Sequence, residues 1–271
     1  MHEKRDQFLA AIGKRPVIMG IVNLTPDSFF DGGLFNDHSA AVAQAKKLVA
    51  DGADIVDVGA ESTRPGHTPL TEEDELARLR PILTDLVHAI DRPVSIDTYK
   101  AAVARHAIDA GASVVNDVWG LQKDPAMADT IAEGGAAVVI MHNRTHVDPE
   151  IDILADMRRY FDHSLARAEK AGIPRRHIIL DPGIGFGKSK QQNLIALRDL
   201  GRFLDYGLPL LVGVSRKSIF GVLLGAELDS RLVGTLAANL IAASHGASIF
   251  RVHDAAEHAA AFKVFDAIAH A

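Results

Sequence analysis

The chain has 271 residues, 48% of them hydrophobic and 24% charged, a globular composition with material for one large core. Its formal net charge of −6 opposes broad binding to nucleic acid or an anionic membrane, both of which call for a basic surface, so neither is expected as a partner. The absence of cysteine excludes a disulfide framework, Cys-ligated zinc and a thiol nucleophile, and leaves chemistry to carboxylates, Lys, Arg, His, hydroxyls or a hard metal ion.

The opening MHEKRDQFLA has charge but no apolar signal-peptide core, and nowhere do about eighteen apolar residues run together, so a soluble cytoplasmic protein is expected. Apolar runs of strand length then recur, each followed by a longer stretch of helical periodicity. Val17–Val22 precedes a helix signal that starts at Ser39, in SAAVAQAKKL. Ile55–Val58 precedes TEEDEL, where Thr71 reads as an N-cap before an acidic first turn, and Pro81 should kink or split that helix. Val94–Ile96, Ser113–Val115 and Ala137–Ile140 follow, then a helix over Ile151 to Ala171, then Ile178–Leu180, Leu210–Val214 and Ser248–Val252. Gly52, Gly111, Gly134, Gly172 and Gly246 stand where helix C-caps should be.

Near-continuous apolar strands alternating with helices mean a parallel sheet, and eight such units in about 250 residues predict an α/β fold, a (β/α)8 TIM barrel, with 1–271 as a single domain. A doubly wound open sheet is the alternative. In a barrel, chemistry gathers at the C-terminal ends of the strands. Those ends read Asn23, Glu61-Ser62-Thr63-Arg64, Asp97, Asn116-Asp117, Met141-His142, Asp181, Ser215-Arg216-Lys217 and Arg251-Val252-His253. One such residue could simply cap the next helix. Eight polar ends together point to one pocket.

Individual motifs narrow the chemistry. DPGIGFGKSK, from Asp181, fails the P-loop pattern because Pro182 stands where Gly is needed, and fails the dinucleotide pattern at Lys188. What remains is a carboxylate ending a strand and a Gly-rich turn that exposes Phe186, against a plain turn with Asp181 as a cap. GVSRKS lacks the second Gly of a hydrolase elbow, which leaves Lys217 as a Schiff-base amine, a donor to a carbonyl or a solvated lysine. RVHD offers Arg251 and His253 after the eighth strand, where barrels often hold phosphate. His142 and His146 have metal-like spacing but no third nitrogen or sulfur ligand nearby, whereas Asn23 suits a hard ion such as Mg2+ whose shell phosphates complete. NLTPDSFFDGG and ESTRPG form two long loops on the same face, and the first exposes Phe29 and Phe30 with no core to cover them.

Taken in order, IMGIVNLTPDSFFDGG, GADIVDVGAESTRPG, SIDTYK, GASVVNDVWG, ILDPGIGFGKS, GVSRKS and FRVHD resemble the dihydropteroate synthase family, the folate-pathway enzymes inhibited by sulfonamides. The resemblance spans nearly the whole chain and implies the barrel inferred above. It implies condensation of 6-hydroxymethyl-7,8-dihydropterin diphosphate with 4-aminobenzoate, Mg2+ as cofactor and a homodimer. On that resemblance Asp97, Lys217 and Arg251 are catalytic. Asp97, Asn116, Met141, Asp181, Phe186, Gly213 and Lys217 would bind pterin. Asn23, Thr63, Arg64, Arg251 and His253 would hold diphosphate, with Asn23 also reaching the metal. Thr63, Pro65, Phe186, Ser215 and Lys217 would line the aminobenzoate slot, and Phe29 and Phe30 would form a lid. One departure is MHNRTHVDPEIDIL after the fifth strand, which is expected to alter the local loop. The competing readings are a pterin-binding methyltransferase domain, against which the diphosphate-type cations speak, and a non-catalytic paralogue that partners a true synthase.

Overall fold

The computed structural model describes residues 2–24, 33–61, 68–225 and 231–271, with the backbone alone for 33–37. Its strands are β1 (Val17–Asn23), β2 (Ile55–Gly59), β3 (Val94–Asp97), β4 (Val114–Asp117), β5 (Ala137–Met141), β6 (Ile178–Asp181), β7 (Leu211–Val212) and β8 (Ile249–Val252). All neighbours pair in parallel in the order β6-β5-β4-β3-β2-β1-β8-β7. A lone bridge between Leu180 and Leu210, with the Leu180 N–H donating to Pro209 O at 2.9 Å, joins the two ends. The (β/α)8 barrel is therefore present, with its seam between β6 and β7.

Strand alternation divides the barrel into an outside and an inside. Ile18, Val56, Val58, Ile96, Val115, Val138, Ile140, Leu180 and Phe250 are buried in the layer shared with the helices. The opposite parity, Val17, Met19, Ile55, Val114, Ala137, Val139, Ile179, Leu211 and Ile249, forms a second core inside the barrel. Continued along each strand, that inward parity turns polar: Asn23, Asp57, Asp97, Asn116, Asp181 and Arg251. The barrel is thus apolar at its floor and charged at its mouth.

The floor is closed by α1 (His2–Ala11), whose Phe8 joins the inner core and whose Lys4 ammonium donates to Ile90 O at 2.9 Å. This helix has too few apolar residues to announce itself in sequence. The ring comprises α2 (Gly33–Ala50), α3 (Glu72–Leu79), α4 (Leu83–Ala89), α5 (Ala101–Asp109), α6 (Met127–Gly134), α7 (Ile153–Ala171), α8 (Lys190–Arg198), α9 (Ser218–Leu224), α10 (Leu232–Ser244) and α11 (Ala255–Ala269). Thr71 caps α3 by accepting from Asp74 N–H, and Pro81 splits α3 from α4, both as expected. Ser39 is not an N-cap: with no Pro between Gly33 and Ala50, the helix extends back over it. The left-handed cap of α6 is Gly135, φ 66°, one residue beyond the expected Gly134. β7 is only two residues long, shorter than the expected Leu210–Val214. Among the described residues, no helix is long and apolar enough to cross a membrane.

Candidate active site

Asp57, Asp97, Asn116 and Arg251 meet at the mouth of the barrel because all four have inward parity on β2, β3, β4 and β8. Arg251 donates from Nε to Asp57 Oδ2 at 2.6 Å and from Nη2 to Asp97 Oδ2 at 2.7 Å. Asp57 Oδ2 also accepts from Asn116 Nδ2 at 3.1 Å. The second oxygen of each carboxylate and Asn116 Oδ1 are buried without a protein partner. Such atoms are costly to leave bare and are ready for a ligand's donors. Burial, opposed by Arg251 and reinforced by Asp57, pushes the Asp97 carboxyl up to about 7.

Across the mouth stand Asp181, Lys217 and Phe186. Asp181 ends β6, is 4% exposed, and accepts from Gly183 N–H at 2.7 Å. Burial raises its carboxyl above the ordinary range. The Lys217 ammonium donates to Ile184 O and lies 4.6 Å from the centroid of the Phe186 ring. Loss of water lowers it to about 8, against the pull of Asp181. Met141, the last residue of β5, is buried. A methyl placed on Gly213 would lie 3.8 Å from Arg251 Cβ and 4.0 Å from Asp181 Oδ2, so this glycine borders both halves of the site.

The loop after β7 carries Ser215 and Lys217 on either side of Arg216, a non-glycine residue at φ 54°. Its left-handed backbone is held by an N–H bond to Thr235 Oγ1 at 3.0 Å and by an ion pair with Asp254. Ser215 Oγ lies 2.9 Å from His253 Nδ1 and accepts the His253 N–H at 3.1 Å. The serine and histidine expected in different subsites thus share one hydrogen-bonded corner beside Arg251. Asn23 ends β1, partly exposed. Thr63, Arg64 and Pro65, and the loop residues Phe29 and Phe30, lie outside the described residues. Glu61, at the root of the ESTRPG segment, is 7% exposed and accepts from Tyr99 OH at 2.9 Å and from Lys100, which also reaches Glu75 at 2.5 Å.

Two strand-end residues do not join the pocket, and parity is the reason. Asp117 faces outward and accepts from Trp119 N–H at 2.8 Å and Leu121 N–H at 2.7 Å, so it shapes the turn after β4. His142 also faces out, with Nε2 3.2 Å from Asp156 Oδ2 on α7. Arg144, in the divergent MHNR segment, pairs with the same Asp156 at 2.7 Å, which ties that loop to α7. Among the described residues no group of three His, Cys, Asp or Glu is placed to hold a metal. Asp57 lies inside the apolar run Ile55–Val58 and not at its end, so proximity to a strand end does not single it out. A carboxylate two residues after Ile55 in an apolar strand, on the parity that ends at the mouth, was the available signal.

Residues 19–253 match the sequence profile of the family described as pterin binding enzyme. The dihydropteroate synthase of Clostridium beijerinckii is 46% identical over 258 residues, which is 95% of this chain and 96% of that protein. A solved Clostridium difficile dihydropteroate synthase, determined in the presence of pteroic acid, superposes with a TM-score of 0.92 at 46% identity, covering 95% of this chain and 98% of that one. The Xanthomonas albilineans enzyme with 4-aminobenzoic acid gives 0.91 at 43% identity, over 95% of this chain and 94% of its own. A barrel whose mouth is lined by unpaired carboxylate and amide oxygens, matched over nearly its full length, belongs to the dihydropteroate synthase family of pterin-binding enzymes.

Proposed function

We propose that this chain, acting as one domain, joins 6-hydroxymethyl-7,8-dihydropterin diphosphate to 4-aminobenzoate, forming 7,8-dihydropteroate and releasing diphosphate. The observation that carries it is the arrangement of Asp181, Asn116 and Lys217 around one buried mouth, two acceptors and an ammonium matched to the donors and the carbonyl of a pterin edge. Asp181 and Asn116 read the ring, Lys217 meets its carbonyl, and Met141, Phe186 and Gly213 shape the apolar walls. Asp97 faces the charge that develops when the bond from the pterin methylene carbon to the diphosphate oxygen breaks. The electron pair leaves with the diphosphate, the amine of 4-aminobenzoate attacks the carbon, and the amine then loses a proton. Arg251 and His253 draw the diphosphate, with Thr63 and Arg64; Ser215, Pro65, Phe186 and Thr63 border the aminobenzoate slot, where sulfonamides compete. Phe29 and Phe30 close over the cation and keep water out.

Mg2+ fits this donor set. Asn23 offers a hard amide oxygen, and an ion held by one protein oxygen, the substrate's phosphates and water needs no acidic cluster, in keeping with the described residues. When bound, it neutralises charge on the leaving diphosphate. The chain acts in the cytoplasm as a homodimer. Among the described residues seven of the nine exposed large hydrophobics, Val222, Leu223, Leu224, Val233, Ile241, Val264 and Ile268, lie on the adjoining helices α9, α10 and α11.

The test is formation of dihydropteroate by the purified chain from both substrates, with Mg2+ and then with EDTA. Metal-dependent turnover is expected; pterin binding without any turnover would refute the assignment and favour the non-catalytic paralogue.

A further inference from the structure

Lys188 is a buried charge that the chemistry above does not use. It follows the Gly-rich turn after β6, where a P-loop lysine would approach a phosphate, yet it is 6% exposed and its ammonium is taken up by backbone carbonyls. Its ammonium donates to Gly183 O at 2.7 Å, Phe186 O at 3.1 Å and His142 O at 3.3 Å. Three donors meet three acceptors, which is the full capacity of an ammonium. Burial pushes this amine well below the ordinary lysine range and Asp181 pulls it back up.

Those carbonyls belong to two loops that are in backbone contact. Gly183 and Gly187 both have left-handed φ, 63° and 59°. A Cβ on Gly183 would collide with the His142 carbonyl, and one on Gly187 with Arg144. The turn therefore lies directly on the segment that leaves β5. Asn193 of α8 pins it further, accepting from Gly185 N–H at 2.6 Å and donating to Lys188 O at 3.3 Å. On the opposite side of the same turn, Lys217 donates to Ile184 O and stands over Phe186. Two lysines thus grip one turn, Lys217 from the ligand side and Lys188 from within.

We propose that Lys188 is a positioning residue for the pterin and aminobenzoate half of the site, setting the places of Asp181, Phe186 and Lys217 by binding the β5 loop to the turn after β6. It touches no reacting atom. The proposal rests on the reaction assigned above. Its reach ends where other anchors take over: Arg251 is held by Asp57 and Asp97, and His253 by Ser215. The diphosphate end of the site therefore has anchors of its own and should depend on Lys188 less than the pterin end does.

The experiment compares wild type with Lys188→Met, which fills similar space without donors, and Lys188→Gln, which keeps two. Four quantities are measured: the Kd of 6-hydroxymethylpterin by calorimetry, KM for 4-aminobenzoate, the Kd of magnesium diphosphate, and Tm. Lys188→Met is expected to weaken the first two by about tenfold or more, because displaced binding groups lose their alignment, while diphosphate affinity changes less than about twofold. Lys188→Gln should fall between Met and wild type. Equal weakening of all three ligands, or a lower Tm with unchanged ligand constants, would overturn the proposal and make Lys188 a plain structural staple. If Lys188→Met does not fold, Lys188→Gln is judged by the same split. Failure of wild type to bind pterin or turn over would instead remove the underlying function.

Discussion

Replacing Asp57 with Asn probes the charge balance at the mouth without changing its shape. Arg251 is flanked by Asp57 Oδ2 at 2.6 Å and Asp97 Oδ2 at 2.7 Å, so one guanidinium serves two carboxylates. With those carboxylate charges roughly 6 Å apart and an effective dielectric of about 20, their repulsion is about 3 kcal/mol, equivalent to about two pH units. Solvent reaching the 21% exposed Arg251 side chain screens part of this, so a shift of about one to two units is expected. In the wild type, Asp97 titrates at about 7 and Lys217 at about 8. If, as proposed, Asp97 acts as the anion and Lys217 as the cation, kcat/KM for the pterin diphosphate should rise with pH through about 7 and fall through about 8. Asp57→Asn removes the repulsion that favours protonated Asp97. The acid limb should move to lower pH by that one to two units while the alkaline limb stays. Rate profiles of the two enzymes across neutral pH decide it. Because the substrate's own phosphate proton also titrates, the pH dependence of binding of 6-hydroxymethylpterin, which has no phosphate, is measured beside the rates, and superimposable acid limbs in both would refute the electrostatic account of this site.

Asp181→Asn should weaken 6-hydroxymethylpterin by about a hundredfold, because a carboxylate accepting two ligand donors becomes an amide that presents a donor of its own; calorimetry showing a loss under about threefold would place the pterin elsewhere. Gly183→Ala should cost about 3 kcal/mol or more in chemical denaturation, since it adds left-handed strain to a collision with His142 O, and a stable, active variant would contradict the described turn. Val233→Glu, at a side chain 71% exposed on α10, should shift the sedimentation of the chain from dimer to monomer, and an already monomeric wild type at micromolar concentration would exclude the proposed dimer.

The barrel was legible because parallel strands covered by helices must be apolar in unbroken runs, and eight such runs leave little choice of architecture. The pocket was legible wherever a strand ended in a polar residue. Proximity to a strand end is a coarse guide, however. It grouped Asn116 with Asp117 and Met141 with His142, although successive side chains on a strand point to opposite faces. Counting by twos from the inner core, Ile55 to Asp57 and Val114 to Asn116, separates the pocket from the caps and recovers Asp57. Lys188 was beyond such counting. A lysine after glycines reads as exposed, and only the tertiary contact of the turn with the β5 loop creates three carbonyls for it to fill. The floor helix α1 was missed for a related reason: it has no strong local signal and is fixed by what Phe8 and Lys4 reach.

The seam between β6 and β7 gives the ligand a mechanical part to play. Elsewhere the staves of the barrel are laced by runs of paired residues; here one bridge holds two strands, one of them only two residues long. Asp181 stands on one lip of that join and Lys217 follows the other. A pterin held between them would act as a suture, fastening the weakest edge of the cylinder with the molecule about to be transformed. Amides flanking the seam would then be the ones most slowed in hydrogen exchange when pterin binds, and departure of the product would leave that edge free to part again.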